Sequence, residues 1–325
     1  MNNVLQLMIA VLVIRFAYGK QNRILGGQSV KPMQFPFFVQ LKIAIGSPKT
    51  FFECGGTLIH PKWILTAAHC FSATFTISSE MLEKNYVQAL MGSEKRAKKL
   101  NDTNFTIRPI QDVYLHPEYL YIQDGKQMML INDIAVAVLK QSFSTSLSNS
   151  ITTISLADEG TSLCSEGIII GAGRIDFAKN FSDTVQYAKV HPKTVDEISL
   201  KFKSPKPTVF YSETKFFRGH TFIGDSGGPF VCFYNSGIFI QYGVVSGGFN
   251  NSEKKTTITE YESVDKHMEF IRSHVSLGSP RRTSVRSDSK HNRDSVVHRQ
   301  TSSSTGRKIF LFTFLFSVAT YILFS

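Results

Sequence analysis

The chain has 325 residues, of which 42% are hydrophobic and 19% are charged, and its formal net charge is +11 at pH 7. Of this charge, +3 lies in residues 1–23 and +6 in residues 278–308, which leaves +2 on the residues between them. A nucleic-acid-binding protein carries its positive charge on the fold itself, so this distribution excludes a nucleic-acid partner.

The N-terminal residues have the pattern of a secretory leader. Residues 4–17 are mostly apolar, and the small residues Ala17 and Gly19 close the run. Because the run is too short and wrongly flanked for a membrane-spanning helix, it predicts a signal peptide over residues 1–19, although Arg15 interrupts it. Entry into the secretory pathway would make the four cysteines disulfides, and the sequence alone allows three pairings. The cysteines are Cys54, Cys70, Cys164 and Cys232.

The central part of the chain, from Phe35 to Ser263, alternates short β-rich runs with polar or glycine turns. This pattern predicts an all-β barrel or sandwich, and a processed length of about 250 residues suits one large or two small barrels. Helical spacing of four apolar residues then predicts a closing helix. The runs are Phe37–Leu41, Tyr86–Leu90, Ile151–Leu156, Gly167–Ile170 and Ile238–Ser246, and the helical residues are Val264, Met268, Ile271 and Val275.

Four Asn-X-Ser/Thr sequences lie in polar stretches of the chain. In a secreted protein such sequences predict N-glycosylation of surface loops, so we expect a glycoprotein. The four asparagines are Asn101, Asn104, Asn180 and Asn250.

The C-terminal residues change abruptly in composition. Residues 278–308 are rich in Ser, Arg and Thr, which predicts a disordered stalk, and residues 309–325 are uncharged. The tail is shorter than the about 20 residues that span a bilayer, and its basic flank, Arg307 and Lys308, would lie outside the cell. These features predict a removed glycosylphosphatidylinositol signal with Ser302–Ser304 near the attachment site; the alternative is a short membrane helix that is retained. Either form would hold the protein at the outer face of the plasma membrane.

Three motifs carry the chemistry. Residues 224–229, Gly-Asp-Ser-Gly-Gly-Pro, place the hydroxyl of Ser226 on a glycine-rich turn, a pattern that α/β-hydrolases also show. Upstream, His69 lies in Trp-Ile-Leu-Thr-Ala-Ala-His-Cys and Asp133 lies in Asn-Asp-Ile-Ala-Val-Ala-Val-Leu. The order is therefore His, Asp, Ser, whereas α/β-hydrolases have the order Ser, acid, His. A serine nucleophile needs a base and oxyanion donors, which these residue types can supply.

With these motifs the sequence strongly resembles the trypsin/chymotrypsin-like serine proteases from Ile24 to Val275. The resemblance implies a protease domain at residues 24–277, built as two six-stranded antiparallel β-barrels with the active site between them and a C-terminal helix. It implies a secretory-pathway serine endopeptidase that acts on proteins or peptides and uses no cofactor and no metal. It also selects one disulfide pairing, which joins Cys54 to Cys70 and Cys164 to Cys232.

The resemblance implies a role for each motif residue. Ser226 is the expected nucleophile, His69 the base that takes its proton, and Asp133 the group that holds the imidazole tautomer. The backbone N–H groups of Gly224 and Ser226 are the expected oxyanion hole.

The resemblance also implies activation by proteolysis. Residues 20–23 would be a pro-segment, and a cut after Arg23 would free the amine of Ile24 to pair with Asp225. A buried carboxylate costs several kcal/mol unless a cation meets it, so we expect the uncut precursor to be weakly active.

The expected specificity pocket departs from the family pattern. His220 stands where trypsin-like enzymes have an aspartate, and Phe222 stands at a cysteine position. Ser246 and Gly248 keep the substrate-binding pattern, with Gly247 in place of the usual tryptophan. We therefore expect no cleavage after Arg or Lys. Whether the enzyme prefers a neutral, an aromatic or an acidic side chain before the cleaved bond stays open. Because cleavage after Arg23 needs an acidic pocket, a second protease is the expected activator. The eroded pocket also permits a second hypothesis, a non-catalytic protease-like binding or adhesion domain.

Overall fold

The computed structural model describes most of residues 24–277. The described residues are 24, 27–72, 76–124, 127–145, 150–174, 180–198, 206–216, 219–221, 223–234 and 237–277. The predicted signal peptide at residues 1–19, the pro-segment at 20–23, the stalk at 278–308 and the tail at 309–325 lie outside them and stay predictions, and Phe222 also lies outside them.

Strands dominate the described residues, and every helix among them is short. The strands are β1 Gln28–Ser29, β2 Phe38–Ile45, β3 Ser47–His60, β4 Trp63–Thr66, β5 Val87–Met91, β6 Thr106–Leu115, β7 Leu120–Asp124, β8 Gln127–Ile131, β9 Ala135–Leu139, β10 Ser155–Leu156, β11 Gly167–Gly171, β12 Gln186–Val190, β13 Pro192–Lys193, β14 Val209–Lys215, β15 Pro229–Phe233, β16 Phe239–Asn251 and β17 Thr256–Ser263. The helices are α1 His69–Ser72, α2 Ser79–Glu83, α3 Val195–Ile198, a 3₁₀ helix Val264–His267 and α4 Met268–His274.

The first half of the fold is a closed barrel with the strand order β2-β3-β4-β9-β6-β5. Its strands are rich in β-branched and small residues; β9, for example, alternates Ala and Val and is buried along its whole length. Burying a branched side chain contributes about 1.5–3 kcal/mol relative to leaving it exposed, which explains why such apolar runs close around a core. A two-stranded hairpin of β7 and β8 lies between β6 and β9 in the chain.

The second half is a nine-stranded sheet with the order β1-β12-β11-β15-β16-β17-β14-β13, and β10 pairs with β16 off this path. The β10–β16 pairing is parallel, whereas every other strand pair of the described sheet is antiparallel. The predicted all-β class, with one closed six-stranded barrel, a second sheet system and a short C-terminal helix, is confirmed. The nine-stranded sheet differs from a closed six-stranded barrel, because its hydrogen-bonded path is open and ends at the two-residue strands β1 and β13.

The predicted runs correspond to β2, β5, β10, β11 and β16. Only the run Ile151–Leu156 differs substantially, because its strand is limited to Ser155–Leu156. Its apolar side chains Ile151 and Ile154 are nevertheless buried in the core, so this segment gains its stability from packing rather than from a ladder of hydrogen bonds.

The C-terminal helix packs on the first barrel. Val264, Met268, Ile271 and Val275 are all buried in the core that includes the barrel strands, as their spacing predicts. The ring of His274 lies 4.7 Å from that of Tyr114 on β6, between ring centroids. The C-terminal helix, which follows the nine-stranded sheet in the chain, therefore packs against the first barrel. In the described part of the chain, no helix is long and apolar enough to cross a membrane.

Candidate active site

Asp133 is a fully buried carboxylate with three hydrogen-bond donors. The backbone N–H of His69 donates to Oδ1 at 2.8 Å, and the His69 ring nitrogen Nδ1 lies 2.6 Å from Oδ2. The hydroxyl of Ser246 also donates to Oδ2, at 2.6 Å. Because a carboxylate can only accept, Nδ1 of His69 carries the proton toward Asp133, and Nε2 is the ring nitrogen that can accept a proton from a substrate-side group.

Strand pairing brings His69 and Asp133 together. β4 and β9 are antiparallel, and Thr66 at the end of β4 is paired with Ala135 at the start of β9. His69 follows β4 by three residues and Asp133 precedes β9 by two, so both lie at the same edge of the barrel. The disulfide between Cys54 and Cys70 ties the chain beside His69 to β3.

A β-bulge directs Ser246 toward this pair. In the β16–β17 ladder Val245 is paired with Tyr261 and Gly247 with Glu260, so Ser246 is the extra residue of the bulge. Bulges re-aim side chains, and here the hydroxyl reaches Asp133, which is 113 residues away in the sequence.

The turn that carries Ser226 lies directly against the His69 segment. The N–H of Gly55 donates to the Ser226 carbonyl at 2.7 Å. Gly227 has φ +77°, and a Cβ at this position would lie 2.2 Å from Oγ1 of Thr66, three residues before His69. In the described residues no hydrogen bond joins the Ser226 hydroxyl to His69. Catalytic hydrogen bonds are often long in the absence of substrate and shorten when it binds.

One of the two predicted oxyanion donors, Gly224, stands at a backbone position that requires glycine. Gly224 has φ +95°, and a Cβ there would lie 2.9 Å from Cα of Gly173. Among the described residues, the N–H groups of Gly224 and Ser226 donate to no protein acceptor. N–H groups without a protein acceptor, one of them on Ser226 itself, are what an oxyanion at this turn would require.

Both members of the predicted activation pair are buried. Ile24 is 2% exposed and packs in an apolar cluster with Ala157 and Ile169, and Asp225 is 1% exposed. The Asp225 carboxylate accepts the N–H of Gly173 at 2.8 Å. The described contacts do not include one between Ile24 and Asp225, and residue 24 of an uncut chain has no free amine.

The structure brings the predicted pocket residues together. Gly248 is paired with Thr259 across β16 and β17, and the hydroxyl oxygens of Thr259 and Thr221 lie 3.1 Å apart. This contact places the segment of His220 beside the strand that carries Ser246 and Gly248. His220 is 3% exposed, and burial lowers the pKa of its imidazole to about 4, so the ring is neutral at pH 7.

Two site residues were not predicted from the sequence. Glu262 is fully buried, and its Oε1 accepts the backbone N–H of Asp133 at 3.0 Å. His267 is also buried, and its Nε2 lies 2.9 Å from Oε2 of Glu262. No local sequence signal marked them, because β17 carries Glu260 as well as Glu262 and the closing helical turn carries Asp265 and Lys266 beside His267.

Both predicted disulfides are present. Besides Cys54–Cys70, the structure joins Cys164 to Cys232 on β15, the strand that follows the Ser226 turn. The four asparagines of the predicted glycosylation sequences differ in their surroundings. Asn101, Asn104 and Asn180 are exposed, whereas Asn250 is half-buried on β16 and accepts a hydrogen bond from the Thr257 hydroxyl.

Comparison with protein families matches residues 24–271 to the model described as Trypsin. The chain belongs to the trypsin family. Its curated relatives include chymotrypsin-like elastase family member 1 of Bos taurus, which is 28% identical over 270 residues, covering 78% of this chain and 94% of the relative. Serine protease 28 of Mus musculus is 27% identical over 266 residues, covering 78% and 89%. Urokinase-type plasminogen activator of Gallus gallus is 26% identical over 273 residues, covering 80% of this chain and only 59% of the relative.

The match spans the three motif segments of this trypsin-family chain. His69, Asp133 and Ser226 all lie within residues 24–271, as do Ile24 and the pocket residues. The family assignment therefore covers the whole candidate site described above.

Proposed function

We propose that this protein is a serine endopeptidase that hydrolyses peptide bonds through an acyl-enzyme. The observation that carries the proposal is the buried Asp133 carboxylate, which orients the His69 ring at 2.6 Å beside the glycine-rich turn of Ser226. A binding domain has no need for a buried aspartate aligned on a histidine together with free backbone donors at a serine.

Each side chain has a chemical task in this proposal. Ser226 Oγ attacks the peptide carbonyl, and His69 Nε2 takes the hydroxyl proton and later gives it to the leaving amine. Asp133 stabilises the imidazolium that forms in between. The N–H groups of Gly224 and Ser226 stabilise the oxyanion, and each such donor contributes about 3–4 kcal/mol in the transition state.

Labelling by a fluorophosphonate probe tests the proposal. Purified precursor is cut after Arg23 with immobilised trypsin, the new N-terminus at Ile24 is verified, and the probe is added after the trypsin is removed. We expect labelling that the variant Ser226→Ala abolishes. A correctly cut chain that does not label would instead be a non-catalytic binding domain.

The proposed enzyme is made as a zymogen. Cleavage after Arg23 would give Ile24 an amine that meets the buried Asp225 and orders the Ser226 turn. Because His220 is neutral and offers no acidic partner for a buried arginine, the enzyme does not cut itself, and a second protease activates it. Precursor that processed itself at Arg23, and stopped doing so as Ser226→Ala, would contradict this point.

We propose that the residue before the cleaved bond is uncharged. The support is the neutral His220 ring, which offers no charge to a substrate side chain of either sign. A peptide library that varies this position checks the preference. Preferred cleavage after Arg, Lys, Asp or Glu would contradict it.

We further propose that the protein is a glycoprotein anchored by lipid at the outer face of the plasma membrane. The support is the sequence pattern of residues 1–19 and 302–325 together with the exposed Asn101, Asn104 and Asn180. A phosphatidylinositol-specific phospholipase should release it from intact cells. Membrane-bound protein that still contained residues 309–325 by mass spectrometry would show a retained membrane helix instead.

A further inference from the structure

A second buried carboxylate lies directly behind Asp133. Glu262 on β17 has no exposed surface, and each of its two oxygens has its own partner. Oε1 accepts the backbone N–H of Asp133 at 3.0 Å, and Oε2 faces Nε2 of His267 at 2.9 Å. Glu262, which is 129 residues from Asp133 in the sequence, therefore links the candidate catalytic aspartate to a histidine of the closing helical turn.

The backbone before Asp133 needs such a partner. Asn132 has φ +50°, in the left-handed region that a non-glycine residue rarely adopts. Such a conformation persists only where the surroundings hold it. The hydrogen bond from Asp133 N–H to Glu262 is one of the contacts that fix the backbone after Asn132, so it helps to set where the Asp133 carboxylate lies relative to His69.

Glu262 also places a carboxylate 3.0 Å from the backbone nitrogen of Asp133, whose side chain holds the His69 ring. In a buried site a carboxylate stabilises a nearby imidazolium, and His69 becomes an imidazolium during the proposed reaction.

Several other titratable groups surround Glu262. The His267 ring packs edge-on against His116 at 5.1 Å between centroids, and burial followed by the neighbouring His267 lowers the pKa of His116. Glu118 lies near His116. On β17, Glu260 is paired with Lys206, and burial raises the pKa of Glu260. Asp265 and Lys266 pair with each other on the 3₁₀ helix.

We propose that Glu262 is a positioning residue for the proposed protease, that it fixes the Asp133 backbone and raises the basicity of His69, and that His267 holds Glu262 in place. This inference rests on the proposed function for its kinetic readout. Its structural readout, the protonation of His69, does not depend on turnover.

Two substitutions separate the two effects of Glu262. Glu262→Gln keeps an acceptor for the Asp133 N–H and removes the charge. We expect the acidic limb of the kcat/KM profile to move to lower pH by on the order of half a pH unit to one unit. Glu262→Leu also removes the acceptor. We expect kcat to fall about 10- to 100-fold with KM nearly unchanged, because the base is misplaced.

Glu213→Gln is the matched control. Glu213 is also a largely buried carboxylate, on the neighbouring strand β14, but its partners are Lys193 and Thr256 rather than any group of the candidate site. Its removal should lower stability without moving the pH profile. His267→Gln keeps a side-chain donor toward Glu262 and should retain most activity, whereas His267→Phe should behave like Glu262→Leu.

NMR titration of the His69 Nδ1 proton separates failure of this inference from failure of the proposed function. We expect the titration of Glu262→Gln to move to lower pH than wild type, whether or not the protein turns over substrate. If the wild type is inert but this shift is found, the proposed function fails and the positioning role stands. If Glu262→Gln and Glu213→Gln titrate alike and as the wild type does, Glu262 has no such role. Should Glu262→Leu fail to fold, Glu262→Gln alone decides.

Discussion

Ser246 and His69 share one oxygen of Asp133: the Ser246 hydroxyl and the His69 ring nitrogen Nδ1 both lie 2.6 Å from Oδ2. The bulge that contains Ser246 also binds the turn of Ser226, since the N–H of Gly227 donates to Val245 O at 2.8 Å. The aspartate, the histidine and the serine turn are thus joined through a single irregularity of β16.

Removal of the Ser246 hydroxyl should impair catalysis as well as folding. A hydrogen bond to a buried charge is worth about 1.5–3 kcal/mol, so we expect Ser246→Ala to lower kcat/KM about 10-fold or more. Ser212→Ala is the control, because the Ser212 hydroxyl is equally buried and is bonded to the Tyr261 hydroxyl at 2.8 Å. It should lose about 1 kcal/mol of stability and no activity. Equal kinetic losses in both variants would contradict the assignment.

Gly227 and Gly237 offer a comparison of backbone strain with steric clash. Both have φ +77°, but a Cβ at Gly237 meets nothing within 4 Å, whereas one at Gly227 lies 2.2 Å from Thr66 Oγ1 and 2.5 Å from Gly55 O. Gly237→Ala should therefore lower the free energy of unfolding only through its left-handed backbone conformation, by about 1–2 kcal/mol.

Gly227→Ala should cost more than about 4 kcal/mol and abolish probe labelling, because Thr66 is itself held by a hydrogen bond to Gly55. Urea unfolding measures both variants. Similar losses of stability would show that the turn can move away from Thr66.

His220 should make the fold sensitive to acid. Burial lowers the pKa of this group from 6.5 to about 4, so between these values the unfolded chain binds a proton that the folded chain does not. Stability is therefore complete above pH 6.5 and decreases as the pH falls toward 4, by about 2–3 kcal/mol at pH 4.5.

His220→Gln should remove this part of the loss between pH 7 and pH 4.5, measured as free energy of unfolding in urea. Replacing the exposed His191 with Gln should leave the loss of stability between pH 7 and pH 4.5 unchanged. An unaltered pH dependence in His220→Gln would mean that the ring titrates normally in the folded protein.

The two cations around Glu53 should not be equally important. Lys42 is 1% exposed, and its Nζ lies 2.5 Å from Glu53, which also binds Arg96. Burial, opposed by Glu53, lowers the pKa of Lys42 to about 8. Lys42→Met removes this poorly solvated ammonium and leaves Glu53 paired with Arg96, so it should change stability by less than about 1 kcal/mol.

Glu53→Gln leaves both cations without their carboxylate and should cost about 3–5 kcal/mol. Thermal unfolding at pH 7 compares the two variants. A larger loss of thermal stability in Lys42→Met than in Glu53→Gln would contradict the prediction that the carboxylate matters more than this ammonium.

The motifs around His69, Asp133 and Ser226 were recognisable in the sequence because their chemistry requires particular residue types in short local patterns. The closing helix was equally predictable, since Val264, Met268 and Ile271 repeat with the period of a helix and all three are buried. The cysteine pairing needed the family resemblance, and the strand-rich pattern alone left one barrel, two barrels or a sandwich open.

By itself, the sequence determined the all-β class, the family and the three motif residues, because alternation, spacing and motif order are properties of neighbours along the chain. Only the tertiary structure decided that Ser246 and Glu262 both bind Asp133, that His220 is buried and neutral, and that the second sheet has nine strands. These features depend on contacts between residues more than a hundred positions apart or on the burial of a single group. Neither leaves a periodic signal in the sequence, because the free energy of such a contact is set by the surroundings that the complete fold creates.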